Sequence, residues 1–201
     1  MDFQAALSSD SVKRQASAAV FLPSEGVNGL AHLPALLRCC KKVLVTEAPL
    51  PKDEEGLLSF GPVALGYIVG QAGFDKANLF HTEILDWLVD SACSPNLVLS
   101  ANAIWGLGLL RTNQPKAVNC LVSVIEGELR EIEHEFVTLR SIALRMLAKI
   151  DVALALQFRM TDAWKELQSA YRFWQIEKPI DHLRDEFAWM FEAESNTIDD
   201  Q

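Results

Sequence analysis

Histidine and carboxylate spacings are the first places where this chain could do chemistry. His81 and Glu83 stand as H-x-E, which in zinc deaminases supplies one metal ligand and the carboxylate that shuttles the proton. That site also needs a Pro-Cys-x-x-Cys element, and the chain has none. Glu131 and His134 stand as E-x-x-H, an arrangement that carboxylate-bridged di-iron bundles use twice, with further glutamates from other helices. His32, His81 and His182 lack a glutamate three positions earlier, so the second copy is missing. Glu131, Glu133 and Glu135 therefore read as the solvated, charged start of a helix. Cys39 and Cys40 are adjacent where zinc and redox sites space their thiols, and Cys93 and Cys120 are single. There is neither a G-x-S-x-G elbow nor a G-x-x-x-x-G-K phosphate loop. No catalytic group, metal site or cofactor is expected from these patterns.

A surface is what the chemistry-bearing residues do offer. Glu83, Asp86 and Asp90 are separated by three and four positions, so they share one face of a helix whose other face is Phe80, Ile84, Leu85 and Leu88. Trp87 lies beside that acidic stripe.

The elements that must carry this stripe are helices. Proline and glycine clusters near Pro23 to Gly29, Pro49 to Pro51, Gly73, Pro95, Pro115 and Pro179 divide the chain, and the stretches between them are too long and too rich in Ala and Leu for strands. The predicted class is all-α. Phe136, Leu139, Ala143, Met146, Leu147 and Ile150 recur at steps of three and four and mark one helical face.

The chain also repeats itself. Leu99 to Leu110 aligns without gaps on Leu139 to Ile150, a shift of 40 that superposes Ala103-Ile104 on Ala143-Leu144 and Leu107 on Leu147. Ala64-Leu65 with Ile68 repeats the spacing at a shift of 39, and Ala16 with Val20 echoes it near the N-terminus. Second helices are predicted at Leu33 to Leu44, Asn78 to Ser91, Lys116 to Glu128 and Asp162 to Gln175, with Ile180 to Glu194 as a terminal helix. A shift of 36 maps Leu85, Leu88 and Val89 onto Leu121, Val124 and Ile125. The same shift maps Glu83, Trp87 and Asp90 onto Asn119, Ser123 and Glu126. A helix pair of this kind cannot enclose its own apolar face, so neighbouring pairs must stack.

The run Ala103-Ile104, Leu107-Gly108, the short turn at Asn113 to Pro115 and the following Val118, Leu121 and Ile125 resemble HEAT-like helical repeats. The likeness spans Gln4 to Gln175 and is clearest from Pro95 to Ile150. It departs at Ser100, where the basic residue present as Arg140 is absent, and at the insert from Asp151 to Thr161. The resemblance implies a right-handed α-α superhelix of about four helix pairs plus a C-terminal helix, in one domain over residues 1–194 with an acidic disordered tail at 195–201. It also implies that the second helices line a concave face, so that Glu83, Asp86, Trp87, Asp90, Asn119, Ser123 and Glu126 grip a protein partner. An adaptor, an assembly factor or a toxin-masking antidote would fit. The alternative is a lyase or chaperone-type enzyme holding a small cofactor in the groove, as in the similar bilin lyases. Trp164, Tyr171, Phe173, Trp174, Phe187, Trp189 and Phe191 concentrate near the C-terminus and suit a cap on the apolar stack.

Composition agrees with a folded, acidic protein. Of 201 residues, 50% are hydrophobic and 22% charged, enough to form a core without staples. Acids outnumber bases 27 to 18, giving a net charge of −9, which disfavours nucleic acid and favours basic or neutral partners. Leu57 to Phe74 carries no charge and holds Gly66 and Gly70 at G-x-x-x-G spacing, but Pro62, Ser59 and Gln71 dilute it, so an enclosed helix is expected and no membrane partner. Met1 to Leu22 resembles no export signal. Reduced thiols and a cytoplasmic location are the corresponding expectations.

Overall fold

The computed structural model describes residues 1–43, 50–74, 79–127, 131–132, 137–177 and 187–190. These residues are predominantly helical. Helix α1 (Phe3–Leu7) opens where the Asp2 carboxylate accepts the Ala5 N–H at 2.9 Å. Helix α2 (Val12–Phe21) runs into a 3-10 segment, Leu22–His32, whose Pro23 and left-handed Gly26 (φ 55°) turn the chain into α3 (Leu33–Lys42). The proline and glycine cluster read as a turn is thus a turn wound as 3-10 helix. Helix α4 (Lys52–Ala72) carries Asp53, Glu54 and Glu55 in its first turn, where the helix dipole favours negative charge.

Helix α5 (Leu79–Ala92) is followed by α6 (Leu97–Leu109), which starts where Asn96 Oδ1 accepts the Leu99 N–H at 3.0 Å. Helix α7 (Pro115–Glu126) begins on a proline, whose missing N–H costs nothing there. A ribbon of two two-residue strands follows, β1 (Glu131–Ile132) antiparallel to β2 (Val137–Thr138). The reading of Glu131 as part of a helix start is corrected here, because its backbone is extended and pairs with Thr138. Glu133, His134 and Glu135 lie outside the described residues. Thr138 and Ser141 then form a reciprocal capping box for α8 (Leu139–Ala148). The insert after it holds α9 (Val152–Leu156), and α10 (Asp162–Glu177) follows. Of the expected terminal helix, only 187–190 are described, with 188–190 helical.

Helix α4 packs against α2 on one side and α6 on the other, α6 against α8, and α8 against α10. Beside this row, α3 leans on α4, α5 principally on α6, and α7 principally on α8, while α5 and α7 touch each other. Three of the second helices, α3, α5 and α7, therefore pack more on the helix that follows than on the helix before, the reverse of the pairing read from the sequence, whereas α10 packs on the preceding α8.

Glycine sets the spacing within the row. A Cβ on Gly66 would stand 2.1 Å from the Gly106 carbonyl oxygen, and one on Gly70 1.9 Å from that of Leu109. Gly106 in turn faces the Pro62 carbonyl. These contacts advance together along both helices, so α4 and α6 run parallel. At the α2–α4 contact Gly56 meets Ala16, and at the α6–α8 contact the Arg145 guanidinium lies over the Trp105 ring, 4.6 Å from its centroid. Gly66 with Gly106, Ala16 with Gly56 and Trp105 with Arg145 each join residues forty positions apart. The G-x-x-x-G spacing of α4 serves helix packing inside this protein. Among the described residues, no helix is long and apolar enough to cross a membrane.

Candidate functional site

Helices α5 and α7 lie side by side and enclose an open groove of about 460 Å³. The amphipathic pattern of each helix decides what faces it. On α5, Ile84, Leu85 and Leu88 are buried, leaving Glu83 and Asp90 exposed and Asp86 and Trp87 half-buried. On α7, Ala117, Cys120, Leu121 and Ile125 turn inward, leaving Asn119, Ser123 and Glu126 exposed. Val89, Ala92 and Cys93 form one wall, and Lys116, Asn119 and Ser123 are on the other. Cys120, Val124 and Leu139 extend the apolar lining.

The seven residues singled out from the sequence are divided by this geometry. Asn119 and Ser123 line the groove. Asp86 reaches across to it, accepting a hydrogen bond from the Lys116 ammonium at 2.6 Å. That hydrogen bond raises the Lys116 pKa above its ordinary value. Asp90 lies close enough to Lys116 and Cys120 to affect both electrostatically. Glu83 faces the other way along α5, paired at 2.6 Å with Lys41 of α3. Trp87 packs against the core with part of its ring exposed. Glu126 stands at the end of α7 beside Gly127, which also borders the groove. Among the described residues, no ion pair engages Asp90 or Glu126.

Two lysines and a pair of thiols belong to this region and were not singled out from the sequence. Lys41 and Lys116 stitch α3 to α5 and α7 to α5 over separations of 42 and 30 residues, so no local spacing announces them. Cys93 and Cys120 line the same groove, where the Cys93 thiol lies close enough to Cys120 to affect it electrostatically. Burial is the main cause that pushes the Cys120 thiol up to about 12, with the neighbouring Cys93 and Asp90 adding to it. All four cysteines are free thiols.

The other chemistry-bearing patterns are kept apart. His81 is buried with its ring tilted against Phe74 at 6.0 Å, whereas Glu83 is solvent-exposed and bound to Lys41, so the H-x-E residues do not converge. Cys39 donates to the Leu7 carbonyl oxygen at 3.3 Å, and Cys40 fills the space over Gly61. Burial raises the pKa of both thiols. Among the described residues, no group of three or more His, Cys, Asp or Glu side chains is placed to hold a metal ion.

At the far end of the row, Trp164 meets Trp189 edge to face at 5.4 Å, and Phe187 packs on Tyr171 at 5.0 Å and under Arg145 at 4.9 Å. The side chains of Phe173 and Trp174, and all of Phe191, lie outside the described residues. Thr138 and Arg140 both donate to the Glu166 carboxylate, tying α8 to α10.

No protein-family profile, curated protein or solved structure matches this chain significantly.

Proposed function

We propose that this chain is a protein-binding module, a right-handed HEAT-like solenoid of about four helix pairs whose partner docks on the α5–α7 face. The carrying observation is the groove, with an apolar lining from Val89, Ala92 and Val124 and hydrogen-bonding groups at Lys116, Asn119 and Ser123; next to it, Asp90 and Glu126 are exposed carboxylates that no ion pair engages among the described residues. An apolar recess ringed by polar groups suits one anchoring side chain of a partner with donors around it. The neighbouring Asp90 and Glu126 and the net charge of −9 favour a basic or neutral protein and weigh against nucleic acid. Stacking at a forty-residue offset supports the solenoid reading, because contact between equivalent positions is what layered pairs produce.

The volume also falls within the range of small-molecule pockets, which favours as second reading a cofactor-holding enzyme of lyase or chaperone type. Affinity capture separates the two. The wild-type chain is compared with Asp90→Lys/Glu126→Lys, with Ser123→Trp, and with Ser169→Lys on α10 as a reference. One stoichiometric protein, retained by the reference and lost by both groove variants, is expected. Capture of a small chromophore alone, or of the same proteins by every variant, overturns the proposal.

A further inference from the structure

The groove brings together two thiols that the proposed docking role does not use. Cys93 is the first residue beyond α5 and is exposed; Cys120 lies midway along α7 and is 8% exposed. Both line the same groove, and the Cys93 thiol lies close enough to Cys120 to affect it electrostatically. We propose that this is a modification site, at which a low-molecular-weight disulfide such as oxidised glutathione converts Cys93 and Cys120 into an intramolecular disulfide tying α5 to α7.

The burial of each thiol sets the order of steps. Cys93 is the thiol that a dissolved disulfide reaches, so its thiolate attacks one glutathione sulfur, forms the mixed disulfide and releases one glutathione thiolate. Cys120, held protonated by its burial, is a poor attacker of a dissolved reagent but faces the same groove as the Cys93 sulfur. Passing its proton to the released thiolate, it attacks Cys93, forms the Cys93–Cys120 bond and expels the second glutathione. Two protein thiols are oxidised and one reagent disulfide is reduced to two thiols. Cys39 and Cys40 are both buried elsewhere, against Leu7 and Gly61, and take no part. The bond would fix the separation of the two groove walls, and it forms whether or not a protein partner docks there.

The test uses the purified full chain, incubated at neutral pH with oxidised glutathione, quenched by alkylation and mapped by mass spectrometry without reduction. The expected product is a Cys93–Cys120 linked peptide with Cys39 and Cys40 alkylated, reversed by dithiothreitol. In Cys120→Ser the glutathione adduct should accumulate on Cys93, and in Cys93→Ser the cross-link and the adduct should both be lost. A wild-type chain that stops at the Cys93 adduct, or whose cross-link involves Cys39 or Cys40, overturns the proposal. So does Cys120→Ser that remains unmodified. Because the decisive map is made on the wild-type chain, a variant that folds poorly does not obscure it.

Discussion

Gly66 of α4 lies so close to Gly106 of α6 that a Cβ on it would stand 2.1 Å from the Gly106 carbonyl oxygen. Such a contact is with backbone, which cannot swing aside as a side chain can. Gly66→Ala must push the two helices apart and should cost about 3 kcal/mol, the upper part of the range for overpacking. Gly56 in the same helix meets only the Ala16 methyl, at 3.7 Å. Gly56→Ala should instead stabilise by about 0.5–1 kcal/mol through helix propensity. Urea unfolding of the two variants gives the comparison, and equal effects would count against the close α4–α6 approach.

The α8–α10 junction rests on a charge that is mostly out of water. Glu166 and Arg140 side chains are 20% and 17% exposed, and Arg140 Nε has no hydrogen-bond partner among the described residues. Glu166→Ala strands the guanidinium and should cost about 2–3 kcal/mol. The double variant Arg140→Met/Glu166→Leu should recover most of that loss. A double-mutant cycle by urea unfolding in which the losses simply add would remove the pair from the stability of this junction.

Alkaline pH should weaken the fold through its buried thiols. In the folded chain Cys120 loses its proton only near pH 12, against an ordinary value of 9.0, and Cys40 is raised as well. Between those values the native state holds protons that the unfolded chain has lost, so stability falls as pH rises, by up to ~1.4 kcal/mol per pH unit for each thiol. Lys116 acts in the same direction, since its hydrogen bond to Asp86 is present below its unfolded pKa and is lost as pH passes the raised folded value. Cys120→Ala should have a shallower slope of unfolding free energy against pH above 9. An unchanged slope would contradict the assignment.

The exposed ion pairs should matter little for stability. Glu83→Gln and Asp86→Asn each remove a pair in which both side chains are at least 39% exposed, for which ~0–1 kcal/mol is usual. Thermal midpoints within a few degrees of wild type are expected, falling further below it at low salt than at high salt. A large loss would mean that these lysines hold α3, α5 and α7 together.

How much of this was legible depends on the range of the interaction. The self-match of Leu99 to Leu110 with Leu139 to Ile150 falls on α6 and α8, because one helical face carries both the period and the small residues that let the row pack. The helices expected from Leu33 and Lys116 begin at Leu33 and Pro115, each with a proline in its first two positions, and the one expected from Asp162 begins there. Extended Val137–Thr138 was hidden because its apolar residue continues the helical period of α8. Which neighbour α5 and α7 lean on was equally hidden, since turn length alone cannot distinguish the preceding helix from the following one. At the groove, Asn119 and Ser123 were found through the 36-residue shift. Lys41, Lys116 and the Cys93–Cys120 approach were not, because they depend on side chains meeting across helices.

Docking of a protein in the α5–α7 groove can be read from a photo-crosslinking residue at Ser123, with the same residue at Ser169 as reference. One discrete adduct is expected from position 123, suppressed by excess unlabelled wild-type chain and by Asp90→Lys/Glu126→Lys, and none from position 169. No adduct at 123, or the same adducts from both positions, would contradict it.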